Sequence, residues 1–248
     1  ICTTSLSIKN CIPLCHDIFD MLVIDEASQC DIASALPLIY RSKRLVIIGD
    51  KLQLKHITRI KEEEEYLIKD ELDIPDYNCS YKNDSLYDYA YSLSIKSKSE
   101  PHFLKDHFRC HPNIIDYSNN EFYKIQLGQS LNIQTKNNDF PFKPSGINWI
   151  NISGQVHKDR NINLEEVESC ILLSNKLSKI FPEAEIGICS PFRDQADKLI
   201  ERINNDNIKI GTIHKYQGDE KDIMILSLVI SEDCKESLVR FINEWAPY

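Results

Sequence analysis

Two adjacent carboxylates give this chain its clearest chemical signal. Asp25 and Glu26 directly follow an apolar run at residues 21–24, and such a run is typical of a buried strand in a parallel sheet. Polar residues at the carboxyl end of a parallel strand are placed for ligands, so Asp25 is positioned to hold Mg²⁺ and Glu26 to orient an attacking water. The pair predicts phosphoryl-transfer chemistry; the alternative is a strand end that only faces solvent.

Four further motifs follow this pair in order. A second apolar strand ends in Gly-Asp-Lys-Leu-Gln-Leu at residues 49–54, and residues 108–112 are Phe-Arg-Cys-His-Pro. Residues 190–195 are Ser-Pro-Phe-Arg-Asp-Gln, and residues 211–220 are Gly-Thr-Ile-His-Lys-Tyr-Gln-Gly-Asp-Glu. In this order and spacing the motifs resemble the superfamily 1 helicases, in the branch of the nonsense-mediated-decay helicase and senataxin. The resemblance spans nearly the whole chain and implies ATP and Mg²⁺ as cofactors.

The resemblance also implies the fold. We expect an α/β protein of two RecA-like P-loop NTPase domains with parallel sheets, the first of them incomplete. Residues 1–100 would form the C-terminal part of the first domain, with an acidic surface excursion at residues 57–100. Residues 101–248 would form the second domain, truncated before its last motif.

The phosphate-wrapping loop of P-loop ATPases is not among the 248 residues, which contain no Gly-x-x-x-x-Gly-Lys-Ser/Thr sequence. In the family this loop precedes the position of Ile1, and an arginine-bearing motif follows the position of Tyr248. We therefore expect an internal piece of a longer helicase whose parent is an active enzyme. Because loss of a phosphate-stabilising arginine alone lowers the rate by about 10³–10⁵, the piece by itself is expected to be inactive.

The resemblance assigns catalytic roles to four residues. Asp25 would hold Mg²⁺, and Glu26 would orient or deprotonate the attacking water. Gln53 would sense the γ-phosphate, and Arg109 would contact it from the second domain. The simple alternatives are an ordinary strand-to-helix turn at Gln53 and a surface arginine at a helix start.

Four further residues are assigned to the ATP side. Gly49 permits a tight turn after its strand, and Asp50 follows it in the same motif. Gly218 and Glu220 belong to the last motif, in which the glutamate of the family meets the ribose. Four positions in or beside the motifs depart from the common family pattern, and these are His56, His107, Cys110 and His214.

Contacts to nucleic acid are implied at seven positions. A helix N-terminus with a hydroxyl group is a natural phosphate site, and this is the environment expected for Ser190 and Arg193, with Gln195 in support. A plain capped helix is the alternative for Gln195, and a packing role is the alternative for His214. The full set assigned to the strand is Thr3, Thr4, Ser190, Arg193, Gln195, Thr212 and His214.

The spacing of apolar residues predicts alternating strands and helices, as in α/β domains. Strands are predicted at residues 21–25, 44–49, 102–104, 147–152, 186–189, 208–213 and 222–229. The first two are continuous apolar runs, which a parallel sheet covered on both faces favours. Helices are predicted between Ile32 and Ile39, in the acidic segment after residue 57, from Asn113, from Leu164, and after Ser190 as a helix cap. Residues 129–145 and the later part of the excursion are predicted to be irregular.

The composition is that of an ordinary globular chain, with 42% hydrophobic and 27% charged residues. No run approaches the ~20 apolar residues that a membrane span needs. The formal charge is −9, of which residues 61–76 carry −6, from eight acidic and two lysine side chains; this run is interpreted as a solvated face. Nine irregularly spaced cysteines favour reduced thiols, with a zinc site at Cys11, Cys15 and His16 as the weaker alternative.

Single-stranded DNA or RNA is the implied partner, with no membrane involved. The resemblance leaves room for fused or associated nuclease or other domains in the parent, and it implies a cytoplasmic location, or a nuclear one in a eukaryote. The alternative function is a non-catalytic nucleic-acid-binding scaffold with a helicase-like fold. The acidic net charge gives no support for a basic groove.

Overall fold

The computed structural model describes residues 1–74, 79–157, 159–231, 234 and 236–245. Two predicted features lie partly outside the described residues: the excursion at residues 57–100 includes residues 75–78, and the chain end includes residues 246–248. The chain divides into two compact units, Ile1–Phe103 and Leu104–Tyr248.

The described elements of the first unit, in chain order, are α1 (Ile8–Cys11), β1 (Leu22–Ile24), α2 (Ile32–Tyr40), β2 (Leu45–Ile47), α3 (Glu62–Glu71) and α4 (Leu86–Lys96). β1 and β2 pair in parallel, with Leu22 opposite Leu45 and Ile24 opposite Ile47. Both strands and the connecting α2 lie where the apolar pattern predicts them. The β-α-β unit is therefore confirmed.

The apolar core of this unit lies on one face of the two strands. Successive strand side chains point to opposite faces, and Ile24 and Ile47 pack with Ala35 of α2 and Leu86 of α4. On the opposite face Val23 is 53% exposed. The prediction of a sheet covered on both faces is wrong for the described residues of this unit, because α2 and α4 cover only one face.

The later part of the excursion is helical, not irregular as predicted. α4 begins with a reciprocal cap, in which the Asp88 N–H donates to Ser85 Oγ at 3.2 Å and the Ser85 N–H donates to Asp88 Oδ2 at 3.0 Å. This arrangement satisfies donors that a helix start leaves unpaired. The Leu86 N–H also donates to the Cys30 carbonyl oxygen at 2.8 Å, which fixes the start of α4 to the segment after β1.

The predicted acidic helix is confirmed as α3, but one of its carboxylates is not solvated. Glu62, Glu63 and Glu64 are exposed, whereas Glu65 is buried. The Glu65 carboxylate accepts the Tyr81 N–H at 2.7 Å. It therefore ties the loop before α4 to α3, a long-range contact that a run of charges does not reveal.

The described elements of the second unit, in chain order, are β3 (Asp106–His107), α5 (Pro112–Ser118), α6 (Ile125–Leu127), β4 (Asn132–Ile133), α7 (Leu164–Ile180), β5 (Ile186–Ser190), α8 (Arg193–Arg202), β6 (Ile208–Thr212), β7 (Ile223–Leu226) and α9 (Glu236–Trp245). Three strands form a parallel sheet in the order β6-β5-β7. β5 is buried throughout, and its Ile186 and Ile188 pack with Val167 of α7 and Leu199 of α8. The predictions of α7 and of these three strands are confirmed.

Three other predictions are wrong. Residues 102–104 form no strand. The strand in this region is β3, which begins at Asp106 and pairs in parallel with β4. That pairing places a strand within residues 129–145, which the sequence predicts to be a loop. Residues 147–152 alternate between apolar and polar side chains but form no strand, and Trp149 is 79% exposed. Alternation produces a strand only where another strand supplies hydrogen bonds, and the pattern of one segment does not name that partner.

Within the described part of the chain, no helix combines the length and the apolar composition of a membrane span. The same residues contain no cluster of three or more His, Cys, Asp or Glu side chains that could hold a metal ion. Cys11 and Cys15 are exposed, and His16 lies 3.0 Å from the Asp17 carboxylate. The zinc alternative therefore gains no support.

Candidate nucleotide and nucleic-acid sites

Asp25 lies directly after β1, at the carboxyl edge of the first sheet. Its side chain is exposed, and its Oδ1 atom accepts the Glu26 N–H at 2.9 Å. Proteins usually hold Mg²⁺ through one or two carboxylates together with substrate phosphates and water. The single exposed carboxylate of Asp25 therefore has the donor chemistry that this ion requires.

Glu26 occupies a strained but well-anchored turn. Its backbone is left-handed, with φ 52° and ψ 39°, a conformation that costs a non-glycine residue about 1–3 kcal/mol. The next residue holds the turn, because the Ala27 N–H donates to the Ile48 carbonyl oxygen at 2.9 Å. Gln29 Nε2 donates to Glu26 Oε2 at 3.1 Å and so orients the carboxylate. Gln29 lies three residues after Glu26 in the sequence, but its orienting role is visible only in the fold.

The loop after β2 is joined to the Glu26 turn by a serine. Ser28 Oγ accepts the Asp50 N–H at 2.8 Å, and Asp50 Oδ1 accepts the Leu52 N–H at 2.9 Å. Gln53 Nε2 donates to Asp50 Oδ2 at 3.4 Å. These hydrogen bonds join Gln53 and Asp50 to Ser28, which lies two residues after Glu26 in the same turn. Sequence reasoning assigned no part to Ser28.

Gly49 is required by the close approach of two side chains. A Cβ atom at this position would lie 2.7 Å from Tyr87 Cδ2 and 2.9 Å from Ser28 Oγ. The ring of Tyr87 therefore lies directly against the backbone of the loop. Tyr87 is the second residue of α4.

Arg109 and Glu220 meet in the second unit although they lie far apart in the sequence. Arg109 Nε is 2.6 Å from Glu220 Oε2, and the two side chains are 62% and 68% exposed. They line a cavity of about 420 Å³ with Asp106, His107 and Phe108. An exposed ion pair contributes only about 0–1 kcal/mol, so this contact can be exchanged for a ligand at little cost.

His107 fixes the turn that carries Arg109. Its Nε2 atom accepts the Cys110 N–H at 2.8 Å, which requires that nitrogen to be unprotonated. Burial lowers the pKa of His107, and the Arg109 charge lowers it further. Both effects favour the neutral ring, so a residue that departs from the family pattern has a defined structural role.

The turn that carries Glu220 is braced by an ionic cluster. Gly218 has a φ of +76°, which suits glycine. The Asp219 carboxylate pairs with Lys209, lies 3.2 Å from Lys221 Nζ and accepts the Glu220 N–H at 3.0 Å. Hydrogen bonds from Lys209 and Lys221 lower the pKa of Asp219 to about 2. The cluster therefore stays ionised and holds Glu220 beside the cavity.

In this unit, the residues assigned to nucleic-acid binding lie at the carboxyl edge of the three-stranded sheet. Ser190 ends β5 and lies opposite Thr212, which ends β6. His214 follows in a short 3-10 turn after Thr212. Arg193 is the first residue of α8, and its side chain is 87% exposed with Asp197 at 3.6 Å. This edge, formed by Ser190, Arg193, Thr212 and His214, is called the strand edge below.

Two of the residues that the resemblance assigns to nucleic-acid binding are buried. Ser190 and Gln195 both have 0% exposure, so direct contact with a nucleic acid does not fit their positions. Ser190 also does not cap α8, because the cap position is Phe192 and Ser190 Oγ instead accepts the Phe192 N–H at 3.2 Å. Their burial favours a supporting role beneath Arg193.

Thr3 and Thr4 lie in the first unit, and both are exposed. Thr4 Oγ1 accepts the Ser7 N–H at 3.3 Å and shares a hydrogen bond with Ser7 Oγ at 2.8 Å. These contacts form the turn that leads into α1. Among the described hydrogen bonds, none joins either threonine to the Asp25 and Glu26 turn.

Comparisons with known proteins identify the family of the chain. A family model described as an AAA domain matches residues 83–246, and a second model of the same description matches residues 1–58. Helicase SEN1 of Saccharomyces cerevisiae is 28% identical over 92% of this chain and 10% of its own length. The Regulator of nonsense transcripts 1 homolog of Arabidopsis thaliana is 25% identical over 91% of this chain and 18% of its own length. The chain belongs to the superfamily 1 helicases, in the branch of the nonsense-mediated-decay helicase and senataxin.

A third relative is a helicase that also carries a nuclease in its name. The DNA replication ATP-dependent helicase/nuclease DNA2 of Gallus gallus is 24% identical over 92% of this chain and 21% of its own length. The helicase chain thus spans between 10% and 21% of the length of these three relatives. Its α/β architecture of RecA-like P-loop NTPase type, with parallel sheets, is confirmed.

Proposed function

We propose that this chain is part of an ATP-dependent helicase or translocase that acts on single-stranded DNA or RNA. The observation that carries the proposal is the meeting of Arg109 and Glu220 at 2.6 Å around one cavity. These are the two side chains that the family resemblance assigns to the γ-phosphate and the ribose. Their juxtaposition, from motifs more than a hundred residues apart, is what a nucleotide-binding surface in this unit requires.

The chemistry proposed for the first unit begins with Glu26. Its carboxylate, oriented by Gln29, would hold the attacking water and accept its proton. Asp25 would hold Mg²⁺, which when bound neutralises charge on the phosphate oxygens. Gln53 shares a loop with Asp50, and Ser28 joins that loop to the Glu26 turn. The loop can therefore respond to the state of the phosphate.

Arg109 would stabilise the charge that develops on the transferred phosphoryl group. Such an arginine raises turnover by about 10³–10⁵. The Glu220 carboxylate neutralises it in the structure and would turn to the ribose hydroxyls when ATP binds. The proposal also needs a phosphate-binding Gly-Lys loop, which the 248 residues do not contain.

Movement along a strand is the proposed use of this ATPase. Arg193 presents an exposed guanidinium at the start of α8, and Thr212 lies at the adjoining strand end. A cation and a hydroxyl at the carboxyl edge of a sheet suit a sugar-phosphate backbone, because phosphate contacts position a protein without reading sequence. The names of two relatives refer to nonsense transcripts and to DNA replication, so both RNA and DNA belong to the proposal. The nuclease in the name of DNA2 similarly supports a fused or associated nuclease.

Glu26→Gln in the full-length protein tests the proposal. The change keeps the shape of the side chain but removes its basicity, so ATP hydrolysis should fall by about 10²–10⁴ while single-stranded nucleic acid still binds. Glu63→Gln, at an exposed position of α3, is the matched control and should leave hydrolysis unchanged. Unchanged hydrolysis in Glu26→Gln would rule out this assignment. A wild-type protein that binds strands but never hydrolyses ATP would identify the scaffold instead.

A further inference from the structure

A cluster of buried polar side chains lies beneath the strand edge. Asn163, Gln195 and Ser227 are 1%, 0% and 0% exposed, and none of them takes part in the ATP chemistry proposed above. A buried polar group is costly unless it is hydrogen-bonded. The retention of three such groups in contact with each other therefore needs a reason.

The hydrogen bonds of this cluster join three elements. The Asn163 N–H donates to Gln195 Oε1 at 3.0 Å, and Gln195 Nε2 donates to Ser227 Oγ at 2.9 Å. Asn163 caps α7, Gln195 lies in the first turn of α8, and Ser227 directly follows β7. Gln195 therefore holds the first turn of α8 at a fixed position between the start of α7 and the end of β7.

Glu166 extends the cluster to the segment after β7. Its Oε2 atom accepts the Val229 N–H at 2.8 Å, and its own N–H donates to Asn163 Oδ1 at 3.1 Å. Burial raises the pKa of Glu166, whereas hydrogen bonds from Ser227 and from the Leu228 and Val229 amides oppose that rise. The half-buried carboxylate of Glu166 therefore accepts hydrogen bonds from the backbone of the short segment after β7.

The segment that Glu166 holds is conformationally unusual. Val229 is completely buried and has a φ of 70°, although left-handed geometry is rare for a β-branched residue. Such a residue persists only where its surroundings over-determine it. Val229 packs with Phe192 and Leu238, and Phe192 is the residue immediately before Arg193.

We propose that Glu166 and Gln195 are positioning residues for the strand edge. Glu166 fixes Val229 under Phe192, and Gln195 fixes the first turn of α8, so that Arg193 is held in the orientation that meets a phosphate. This inference rests on the proposed function, since it supposes that Arg193 contacts the nucleic-acid strand. In this proposal the network affects the nucleic-acid strand through the position of Arg193.

The test uses the full-length protein and the variants Glu166→Ala, Arg193→Ala and the two combined. The concentration of single-stranded nucleic acid that gives half-maximal ATPase stimulation should rise about tenfold in Glu166→Ala, while kcat at saturating strand stays within twofold. Because Glu166 acts through Arg193, the double variant should be no worse than Arg193→Ala alone, which is the behaviour of coupled residues. Glu165→Ala removes the neighbouring exposed carboxylate and is the matched control.

Two conservative changes separate positioning from a general loss of structure. Glu166→Gln keeps an acceptor for the Val229 N–H and should restore most of the strand affinity. If Glu166→Ala does not fold, Ser227→Ala removes the hydrogen bonds of the Ser227 hydroxyl to Gln195 and Glu166 with little change in volume, and it should raise the half-maximal concentration about threefold.

Either of two results in the Glu166 variants would overturn the inference. One is a Glu166→Ala protein that behaves like Glu165→Ala, and the other is an effect of Glu166→Ala that adds fully to that of Arg193→Ala. If Arg193→Ala weakens strand binding but Glu166→Ala and Ser227→Ala do not, the inference alone is wrong. If Arg193→Ala leaves strand binding intact, the proposed strand contact is wrong and the inference fails with it. Hydrogen exchange at the Val229 amide, expected to accelerate in Glu166→Ala, reports on the network in either case.

Discussion

Replacing Glu65 with glutamine should destabilise the first unit, because its buried carboxylate is a centre of hydrogen bonding. The carboxylate accepts Lys69 Nζ at 2.8 Å, the Tyr81 N–H at 2.7 Å, the Lys82 N–H at 3.2 Å and Ser80 Oγ at 2.9 Å. A glutamine has the same shape but only one acceptor oxygen, and its amide group would point N–H donors at other donors. The change therefore leaves buried donors without partners.

The size of the effect follows from the ionisation of Glu65. Burial raises its pKa, but the accepted hydrogen bonds, that from Lys69 first, outweigh burial and lower the pKa from 4.5 to about 2. Since a tenfold change in proton affinity is worth about 1.4 kcal/mol, the ionised group contributes about 3 kcal/mol to the free energy of unfolding at neutral pH. We expect Glu65→Gln to lose about 2–3 kcal/mol of this, because one acceptor oxygen remains.

Urea denaturation followed by circular dichroism measures this loss. A pKa that is lowered by folding gives stability that is present above pH 4.5 and disappears as the pH falls towards 2. The difference between wild type and Glu65→Gln should therefore be largest at pH 7 and shrink at low pH. Glu63→Gln, an exposed neighbour on the same helix, should change little. A Glu65→Gln protein as stable as Glu63→Gln at pH 7 would refute the reasoning.

Three further predictions concern the nucleotide sites. Gly49→Ala places a Cβ 2.7 Å from the Tyr87 ring and should lower the thermal melting temperature and the ATPase rate, with partial recovery when Tyr87 is also changed to alanine. Arg109→Ala should lower kcat of the full-length protein by about 10³–10⁵ while the melting temperature stays almost unchanged. A loss of activity that comes with a clear drop in melting temperature would contradict its catalytic role. Protonation of His107 breaks its bond to the Cys110 N–H; because the folded pKa is lowered, ATPase activity should persist below pH 6.5 and then fall. His107→Gln should flatten that acid limb of the pH–rate profile. An unchanged profile would contradict the proposal that His107 holds the turn that carries Arg109.

Much of the scaffold was predictable because its signals are local. Continuous apolar runs gave β1 and β2, and helical spacing with terminal charges gave α7. Motif order then located Asp25 and Thr212 at the carboxyl ends of parallel strands, since such ends share one edge of a sheet. These predictions needed only short windows of sequence and the geometry of strands and helices.

The remaining features depend on partners far away in the sequence. Residues 147–152 have a strand pattern but form no strand, whereas α4 forms from a polar stretch because capping and docking fix its start. Glu65 reads as one of four surface glutamates, yet it binds amides sixteen and seventeen residues later. The motif predicts that Ser190 and Gln195 bind nucleic acid, although both side chains are completely buried in the structure. Composition and spacing do not state which side chain meets which backbone.

ATP hydrolysis by the full-length protein, measured with and without single-stranded DNA and RNA, tests the central claim most directly. The proposed function predicts hydrolysis that one of these strands stimulates strongly and that Glu26→Gln removes. If the protein binds a strand tightly but hydrolyses no ATP under any condition, the helicase mechanism is contradicted, and so is the nucleotide-binding role of Arg109 and Glu220.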